Sequence, residues 1–441
     1  MPRTGVMLFT RDLRLHDNPA LAAATSQCER VVPLFVLDDH LLKGSANRTQ
    51  FLLQSLVELR ADLGGKLVVR RGDVINAIAR FDPDLVYMAH DVSPFAHRRE
   101  ERIRQRFSVR AYGGITVVAP GDLAPAGSTA YRVFSPYWRA WWPRSIAEPA
   151  RPRLPLVLPS NIETGAIPEV GQVVASRRPA RRLPPGGERA GSNLLDDFLE
   201  KQRYEVQRNE LGAEGTSRLS PYLHFGCLSP SAVARAARSR GLEAFLRQLC
   251  WRDFYAQLLA ARPALATNDL RPAGGGWLDD ADTIEAWKEG RTGYPVVDAA
   301  MRQLLQEGWI HNRGRLVAAS FLTHQLAIDW RVGAHHFMRH LVDGDVASNS
   351  GNWQWVAGTG TDARPARVFN PVLQGRRYDP TGAYSRRFVH ELESVASDQI
   401  QDPTPLERQR TGYPAPVIDH AASVSRWRRL RALPARPPFT Q

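Results

Sequence analysis

The chain has 441 residues, 43% of them hydrophobic, with 58 Lys and Arg against 45 Asp and Glu and a formal net charge of +13. Because a domain takes ~100 to 200 residues, this length excludes a single small module and predicts two or three apolar cores. The basic excess is mostly arginine, which suits a phosphate-bearing partner, but a GC-rich genome explains it equally well.

The N-terminal part of the chain alternates short apolar runs with amphipathic stretches. The sequence predicts strands at residues 6–9, 31–37, 67–69, 85–88 and 115–118, and helices at 47–63, 74–81 and 96–107. Such alternation is typical of a parallel sheet with helices on both faces. We therefore expect a doubly wound, Rossmann-like α/β domain over residues 1–125.

A connector rich in Pro, Gly and Arg follows at residues 148–191, most densely at 177–187. Pro and Gly at this density break both helices and strands. An irregular segment is predicted here, and we place the whole interdomain linker at residues 126–192.

From Leu194 onward a helical period of about 3.6 residues dominates. Apolar side chains recur at that spacing in two runs: Trp251, Phe254, Tyr255, Leu258 and Leu259, and then Val297, Ala300, Met301, Leu304 and Leu305. We expect an all-helical domain over residues 193–441, although the segment after Pro403 shows no clear pattern.

Motifs for several common chemistries are absent from the sequence. The turn after the first predicted strand contains Thr10-Arg11-Asp12-Leu13-Arg14 instead of GxGxxG, and no GxxxxGK[ST] loop occurs. Three widely spaced cysteines, Cys28, Cys227 and Cys250, favour neither a disulfide framework nor a zinc site. No apolar run approaches the ~18 to 20 residues of a membrane span, and no export signal is evident. We expect a cytoplasmic protein without a metal.

Polar groups gather among aromatic residues in the helical half. Hydroxyl groups at residues 215–221 precede a predicted helix, where backbone N–H groups suit a pyrophosphate, although Ser-Pro at a helix start is also an ordinary cap. Asp343, Asp345 and Asn349 lie near several tryptophans. This combination indicates a buried polar pocket, and a structural ion-pair network would have the same pattern.

These residues also carry a resemblance to a known family. The markers are Arg11-Asp12-Leu13-Arg14 with Asp17-Asn18, the segments at 216–223, 251–255, 292–302 and 308–313, and Asp343-Gly344-Asp345 through Trp353-Gln354-Trp355. The chain resembles the photolyase/cryptochrome family over nearly its whole length, most closely the class I bacterial photolyases. Residues 1–125 would then be the antenna domain and residues 193–441 the FAD-binding catalytic domain.

The resemblance implies that FAD is bound in a bent shape within the helical domain. The implied cofactor-binding residues are Tyr204, Thr216, Ser217, Arg218, Leu219, Ser220, Gln248, Arg252, Asn312, Arg315, Asp343, Gly344, Asp345 and Asn349. Asn349 matches the position that faces flavin N5. Trp353, Trp330 and Trp277 match, in that order, a chain of tryptophans that carries electrons to the flavin.

The activity implied by the resemblance is light-dependent repair of UV-damaged DNA by a monomer associated with the nucleoid. Excited FADH⁻ gives an electron to a flipped-out cyclobutane pyrimidine dimer, the ring splits, and the electron returns; unstacking costs least at a damaged site. The implied DNA and lesion contacts are Arg208, Gln248, Trp251, Asn312, Arg313, Leu316 and Trp355.

Two departures from the bacterial pattern leave alternatives open. Gln248 stands where dimer photolyases typically have Glu, and Leu316 stands where they often have Met. Glutamine is more usual in six-four photolyases and animal cryptochromes, but the histidine pair of the six-four class is missing at Asn312 and Leu316. Dimer repair, at a lower efficiency, is therefore favoured over a six-four photolyase or a cryptochrome photoreceptor. A long C-terminal extension would favour the photoreceptor, and the sequence ends at Gln441.

An antenna chromophore, either a deazaflavin or methenyltetrahydrofolate, is common in the N-terminal domain of this family. The residues near the matching positions are Phe35, Leu37, Asp38, Asn47 and Arg48. Ordinary packing of the α/β domain is an equally good explanation of these side chains.

Overall fold

The structure is a computed structural model that describes residues 3–174, 178–200, 204–272, 274–362 and 367–432. The first residue of the Pro- and Arg-rich run at 177–187 lies outside these ranges, as do the last residues of the helical domain predicted to reach 441. An N-terminal α/β part is followed by a helical part, as the predicted fold class has them, while the domain bounds stay predictions; the helix Glu188–Glu200 begins within the predicted linker.

The N-terminal domain is built on five parallel strands in the order β3-β2-β1-β4-β5. The strands are β1 (Thr4–Phe9), β2 (Arg30–Leu37), β3 (Val68–Arg71), β4 (Leu85–Ala89) and β5 (Val109–Tyr112), and the helices are α1 (Pro19–Gln27), α2 (Asp39–Gly44), α3 (Ala46–Asp62), α4 (Val74–Ala79) and α5 (Pro94–Arg104). On β1, Met7 and Phe9 belong to one apolar cluster and Val6 and Leu8 to another. Both faces of the sheet are therefore buried, which confirms the doubly wound architecture.

The prediction of the fifth strand is wrong in position. The observed strand is β5, which pairs with β4 through Val86 and Val109, and its residues are only partly buried. In the predicted strand at 115–118, the backbone N–H groups of Val117 and Val118 donate instead to the Asp253 carboxylate at 3.0 and 2.9 Å. A partly exposed edge strand lacks a continuous apolar pattern, so periodicity favoured the more apolar run beside it.

Helices supply nearly all regular structure after the sheet. The connector contains α6 (Phe134–Trp141) and α7 (Val170–Val173). The helical domain contains α8 (Glu188–Glu200), α9 (Tyr204–Gln207), α10 (Ser220–Phe225), α11 (Pro230–Ser239), α12 (Glu243–Ala261), α13 (Ala281–Glu289), α14 (Pro295–Glu307), α15 (Asn312–Ser320), α16 (Trp330–His340), α17 (Val346–Ala357), α18 (Pro371–Tyr378), α19 (Ala383–Phe388), α20 (Pro405–Thr411) and α21 (His420–Ala432). A π-helical turn, Phe321–Gln325, follows α15, and 3₁₀ turns lie at Pro263–Ala266 and His390–Leu392. None of the helices in the described ranges is long and apolar enough to cross a membrane.

The two apolar runs of the helical half lie on α12 and α14, as predicted. Phe254, Tyr255, Leu258 and Leu259 are buried on α12. Leu305 is the exception on α14, because 38% of its surface is exposed. The other four members of that run are buried, and so are residues outside it, among them Val296 and Ala299, so the buried surface of α14 is wider than the sequence pattern.

Buried polar contacts join the two domains. The Arg14 side chain, only 1% exposed, donates to the Gly226 carbonyl of the helical domain at 3.0 Å and to the Gly114 carbonyl of its own domain at 3.1 Å. The carboxylate of Asp253, on α12, accepts from two amides of the N-terminal domain and from the indole N–H of Trp141 on α6 at 2.9 Å. Asp253 therefore fixes α12 against both the α/β domain and the connector.

Replacing Asp253 with Ala should destabilise the protein by about 2–4 kcal/mol, because the N–H groups of Val117, Val118 and Trp141 all donate to one oxygen of this carboxylate and would lose their buried acceptor. Urea unfolding followed by circular dichroism measures this change. The exposed Asp196→Ala on α8 is the matched control and should be nearly neutral. An Asp253→Ala midpoint equal to the control would contradict this role.

Candidate functional site

One cavity of about 530 Å³ lies among the helices of the C-terminal domain. It is lined by all the residues predicted to bind cofactor or lesion: Tyr204, Arg208, Thr216, Ser217, Arg218, Leu219, Ser220, Gln248, Trp251, Arg252, Asn312, Arg313, Arg315, Leu316, Asp343, Gly344, Asp345, Asn349 and Trp355. Trp353 also lines it, whereas Trp277 and Trp330 do not. Side chains distant in sequence are thus brought to one site.

One wall of the cavity is formed by the segment that leads into α10. Arg218 adopts a left-handed backbone conformation with φ of 50°, and α10 begins after Leu219, which has no side-chain oxygen to cap the helix. The first backbone N–H groups of α10, beside the hydroxyls of Thr216 and Ser217, are therefore suited to an anionic group such as a phosphate.

The Arg218 side chain is held in place by neighbours on both sides. Its guanidinium donates to Glu307 at 3.2 Å and lies 4.5 Å from the ring centroid of Trp309. The indole N–H of Trp309 in turn donates to the Ser220 hydroxyl at 3.1 Å. This network orders the loop before α10. Glu307 also pairs with Arg387 at 3.2 Å, so one carboxylate serves two arginines and neutralises only part of the Arg218 charge at the cavity.

A second wall carries a buried ion pair. Arg315 donates to one carboxylate oxygen of Asp343 at 2.7 Å and to the Ile310 carbonyl at 2.9 Å. The other oxygen of Asp343 is buried and has no hydrogen-bond partner among the described residues. A buried carboxylate oxygen without a donor is costly, so this atom is a natural acceptor for a bound polar ring.

Asp345 connects the cavity to the N-terminal domain. Its carboxylate caps α17 by accepting the Ser348 N–H at 2.8 Å, and it accepts Arg11 from the loop after β1, also at 2.8 Å. Burial opposes the charged form, but the charges of Arg11 and Arg252 outweigh it and hold the pKa of Asp345 well below its usual range. Asp345 is therefore ionised at neutral pH.

His224 lies beside this pair and lines the cavity. Its Nδ1 is 3.4 Å from the Arg11 guanidinium. Burial, followed by the charge of Arg11, lowers the pKa of His224 well below its ordinary value. The imidazole is thus neutral at pH 7, and its Nδ1 can accept a hydrogen bond from Arg11.

Asn349 presents an amide to the cavity from α17. Its side-chain nitrogen donates to the Ala334 carbonyl at 3.0 Å. That bond fixes the amide and leaves its oxygen available as an acceptor.

Aromatic and amide groups form the remaining wall. Trp251 and Gln248 are presented by α12, and Trp355 comes from α17. The Trp251 ring stacks face to face on Phe134, with 3.7 Å between centroids, and Arg367 lies 5.5 Å from the Trp355 ring centroid. A flat apolar group such as a base fits between walls of this kind.

The two arginines predicted to contact DNA phosphates both line the cavity. Arg313 donates to Asn209 at 2.8 Å and lies 4.1 Å from the Tyr378 ring centroid. The Nε atom of Arg208 is buried without a partner in the described part of the chain.

The three tryptophans predicted to carry electrons differ in exposure. Trp353 and Trp330 are 2% and 1% exposed in one apolar cluster, and Trp277 packs against that cluster while partly exposed. The Trp330 N–H donates to Asp269 at 2.8 Å, and Arg431 lies 4.0 Å from the Trp277 ring centroid. Trp353 lines the cavity and Trp277 is the most exposed of the three, and an electron path through them stays a prediction.

The side chains considered for an antenna site have other contacts in this structure. Phe35 and Leu37 pack in the main apolar cluster, and Asp38 caps α2. Asn47 donates to the His340 carbonyl and Arg48 to those of Met338 and Leu341, so both reach the helical domain. Burial lowers the pKa of Arg48 to about 10. An antenna chromophore stays a prediction.

Sequence reasoning missed several residues at this site. Arg11 was noted only as part of a motif and Trp309 only as one of the tryptophans near the polar residues, and His224 and Tyr255, which line the cavity, were not assigned to it. Arg11 follows β1 at the carboxyl end of the sheet, where ligands of parallel sheets bind. This position in the sequence could have indicated that Arg11 belongs to a functional site.

Comparison with known proteins identifies the family. The model for DNA photolyase matches residues 5–155, and the model for the FAD binding domain of DNA photolyase matches residues 245–432. The deoxyribodipyrimidine photo-lyase of Streptomyces griseus is 44% identical over 97% of this chain and 99% of its own length. An enzyme of the same name from Thermus thermophilus is 39% identical over 91% of this chain and 95% of its own length.

Solved structures agree with this assignment. A bacterial class III photolyase from Agrobacterium tumefaciens superposes with a TM-score of 0.88 at 33% identity, covering 98% of each chain. A cryptochrome of Synechocystis superposes with a TM-score of 0.89 at 30% identity, covering 98% of this chain and 99% of its own. The fold and site are those of a two-domain flavoprotein. The chain belongs to the photolyase/cryptochrome family and carries its FAD-binding domain.

The cavity residues fit FAD. The uncapped N–H groups of α10 and the charge of Arg218 suit its diphosphate, and the unpartnered Asp343 oxygen with the Asn349 amide suits the polar edge of its ring system. These groups suit FAD in the positions that they have in this structure.

Replacing Asp345 with Asn should destabilise the protein by about 3–5 kcal/mol and lower the amount of FAD it retains, because Arg11 loses a buried partner beside the cavity. Thermal melting and the flavin-to-protein absorbance ratio measure the two effects. The matched control is Asp39→Asn, which removes an ion pair to Arg71 whose side chains are each 48% exposed; it should cost less than ~1 kcal/mol. Equal effects in the two variants would contradict the argument.

Proposed function

We propose that this protein is a class I photolyase that repairs cyclobutane pyrimidine dimers in UV-damaged DNA under blue light. The observation that carries the proposal is a single cavity with a polar wall suited to FAD and a facing wall of Trp251, Gln248 and Trp355 suited to the two bases of a dimer. The 44% identity to a deoxyribodipyrimidine photo-lyase over nearly the whole chain supports the same activity.

When bound in its reduced form, FAD absorbs light and then supplies the electron that splits the dimer. The protein's own part is to hold the cofactor and lesion together in a site from which water is excluded. Arg218 and the start of α10 would hold the phosphates. Arg315 with Asp343, and Asn349, would hold the ring system.

The lesion would enter the cavity after it leaves the DNA helix, at a cost that is lowest for a damaged and poorly stacked site. Trp251 and Trp355 would stack on or flank the bases, with Leu316 beside them. The amides of Gln248 and Asn312 would donate hydrogen bonds to base carbonyls, and Arg208 and Arg313 would contact flanking phosphates. A site built this way recognises the dimer by shape and by its exposed edges.

Trp353, Trp330 and Trp277 would serve a different step, the reduction of oxidised FAD by electrons from outside the protein. The greater exposure of Trp277 supports this order, since the outermost indole must meet a reductant. We propose that the protein does this work in the cytoplasm at the nucleoid, as a monomer and without a metal ion.

The direct test uses purified, photoreduced protein and an oligonucleotide with one thymine cyclobutane dimer. Under blue light the thymine absorbance should recover, and a dark sample should not change. Absence of recovery in protein that binds FAD and is photoreduced would contradict dimer repair. Testing a six-four lesion next would then separate the second repair class from a photoreceptor.

Gln248 provides a sharper test of the lesion wall. Gln248→Ala should weaken dimer binding about 2- to 10-fold, because it removes one hydrogen-bonding amide from the cavity. Gln248→Glu should raise the repair yield per absorbed photon where the new side chain is protonated, since a carboxylic acid O–H donates a stronger hydrogen bond than an amide as charge develops on the dimer. Dimer affinity and repair yield are measured separately by titration and by flash illumination. An unchanged affinity of Gln248→Ala for the dimer would show that Gln248 does not contact the lesion.

A further inference from the structure

The aromatic wall of the cavity is supported from behind by the connector. Phe134, the first residue of α6, is 6% exposed, and its ring lies parallel to that of Trp251, with an interplanar angle of 3° and 3.7 Å between centroids. A parallel ring at this distance occupies the part of the indole face that it overlaps. A flat group in the cavity must therefore stack on the opposite face of Trp251.

Arg247 completes this arrangement from α12, one helical turn before Trp251. Its guanidinium lies 5.0 Å from the Phe134 centroid and 5.4 Å from that of Trp138. Two aromatic rings stacked directly face to face repel through their quadrupoles, and a nearby cation offsets that repulsion by drawing on the ring electrons. Arg247 therefore favours the parallel geometry that Phe134 and Trp251 adopt.

Neighbouring rings restrict Trp251 further. Phe254 meets it edge-on at 89° with centroids 5.5 Å apart, and Tyr255 is tilted against it by 31° at 5.6 Å. The plane of the indole is thus set before any ligand enters. A preset side chain loses little freedom when a ligand binds, so more of the stacking energy is available for recognition.

We propose that Phe134 and Arg247 are positioning residues for lesion recognition, which hold Trp251 in the orientation that stacks on a flipped-out dimer. The inference rests on the proposed function and adds to it a role for the connector. Phe134 touches neither cofactor nor DNA in this proposal. It acts through Trp251, so its loss should affect discrimination between damaged and intact DNA more than repair of a dimer already bound.

The test compares affinities in the dark for an oligonucleotide with one thymine cyclobutane dimer and for the same oligonucleotide without damage. Phe134→Leu keeps an apolar side chain but lacks a flat face, so the core stays largely filled. We expect the ratio of the two affinities to fall about 3- to 10-fold in this variant. Arg247→Gln should lower the ratio in the same direction, and taking the ratio cancels any loss of a phosphate contact.

The matched control is Arg238→Gln. Arg238 also lies over a tryptophan of the connector, 5.4 Å from the Trp142 centroid, on the neighbouring helix α11. This variant should keep the wild-type ratio. At saturating dimer, single-flash repair in Phe134→Leu should stay within about twofold of wild type, because a bound dimer still meets the same cofactor wall.

The outcomes separate the two levels of the argument. A Phe134→Leu variant with the wild-type ratio, or with equal losses on damaged and intact DNA, overturns the positioning role while repair by wild type stands. If the wild-type protein itself binds damaged and intact DNA equally well and shows no light-dependent repair, the proposed function is contradicted, and this inference with it.

Discussion

Two arginines in the loop that follows β1, the partly buried Arg11 and the buried Arg14, hold the structure together because they join the α/β domain to the helical domain. Arg11 pairs with Asp91 in its own domain and with Asp345 at the cavity, and Arg14 donates to backbone carbonyls, including that of Gly226. A buried guanidinium is tolerated only when its donors are satisfied. The domains therefore have one geometry in which these groups are paired, and that geometry forms the back of the site.

Helix α12 transmits this constraint to the cavity. Within three consecutive residues it presents Trp251 to the cavity, Arg252 to the carbonyls of Ile115 and Leu223, and Asp253 to amides of the α/β domain. Successive residues on a helix point about 100° apart, so one turn can face three partners. The aromatic wall is held for this reason, since moving α12 would break the contacts of Arg252 and Asp253 with the α/β domain and that of Trp251 with Phe134 of the connector.

The arginine excess has a structural explanation in addition to a phosphate-bearing partner and a GC-rich genome. Arg14, Arg48 and Arg252 donate to backbone carbonyls inside the protein, and Arg218 and Arg315 pair with buried carboxylates. The net charge alone therefore overstates what is available to a polyanion. At the cavity, the arginines that line it still combine positive charge with aromatic surface, as a nucleic-acid site requires.

Apolar periodicity along the chain predicts the fold class, four of the five strands and the helical nature of the second half, because strand and helix periods are local properties of burial. It placed the fifth strand wrongly, since an edge strand is only half buried and shows a weak pattern. Through family resemblance it also selected the residues that line the cavity. Two contacts are evident only in the folded chain: Arg11 pairs with Asp345, 334 residues away, and Phe134 stacks on Trp251. Such contacts depend on how the domains dock, and a local sequence pattern contains no information about docking.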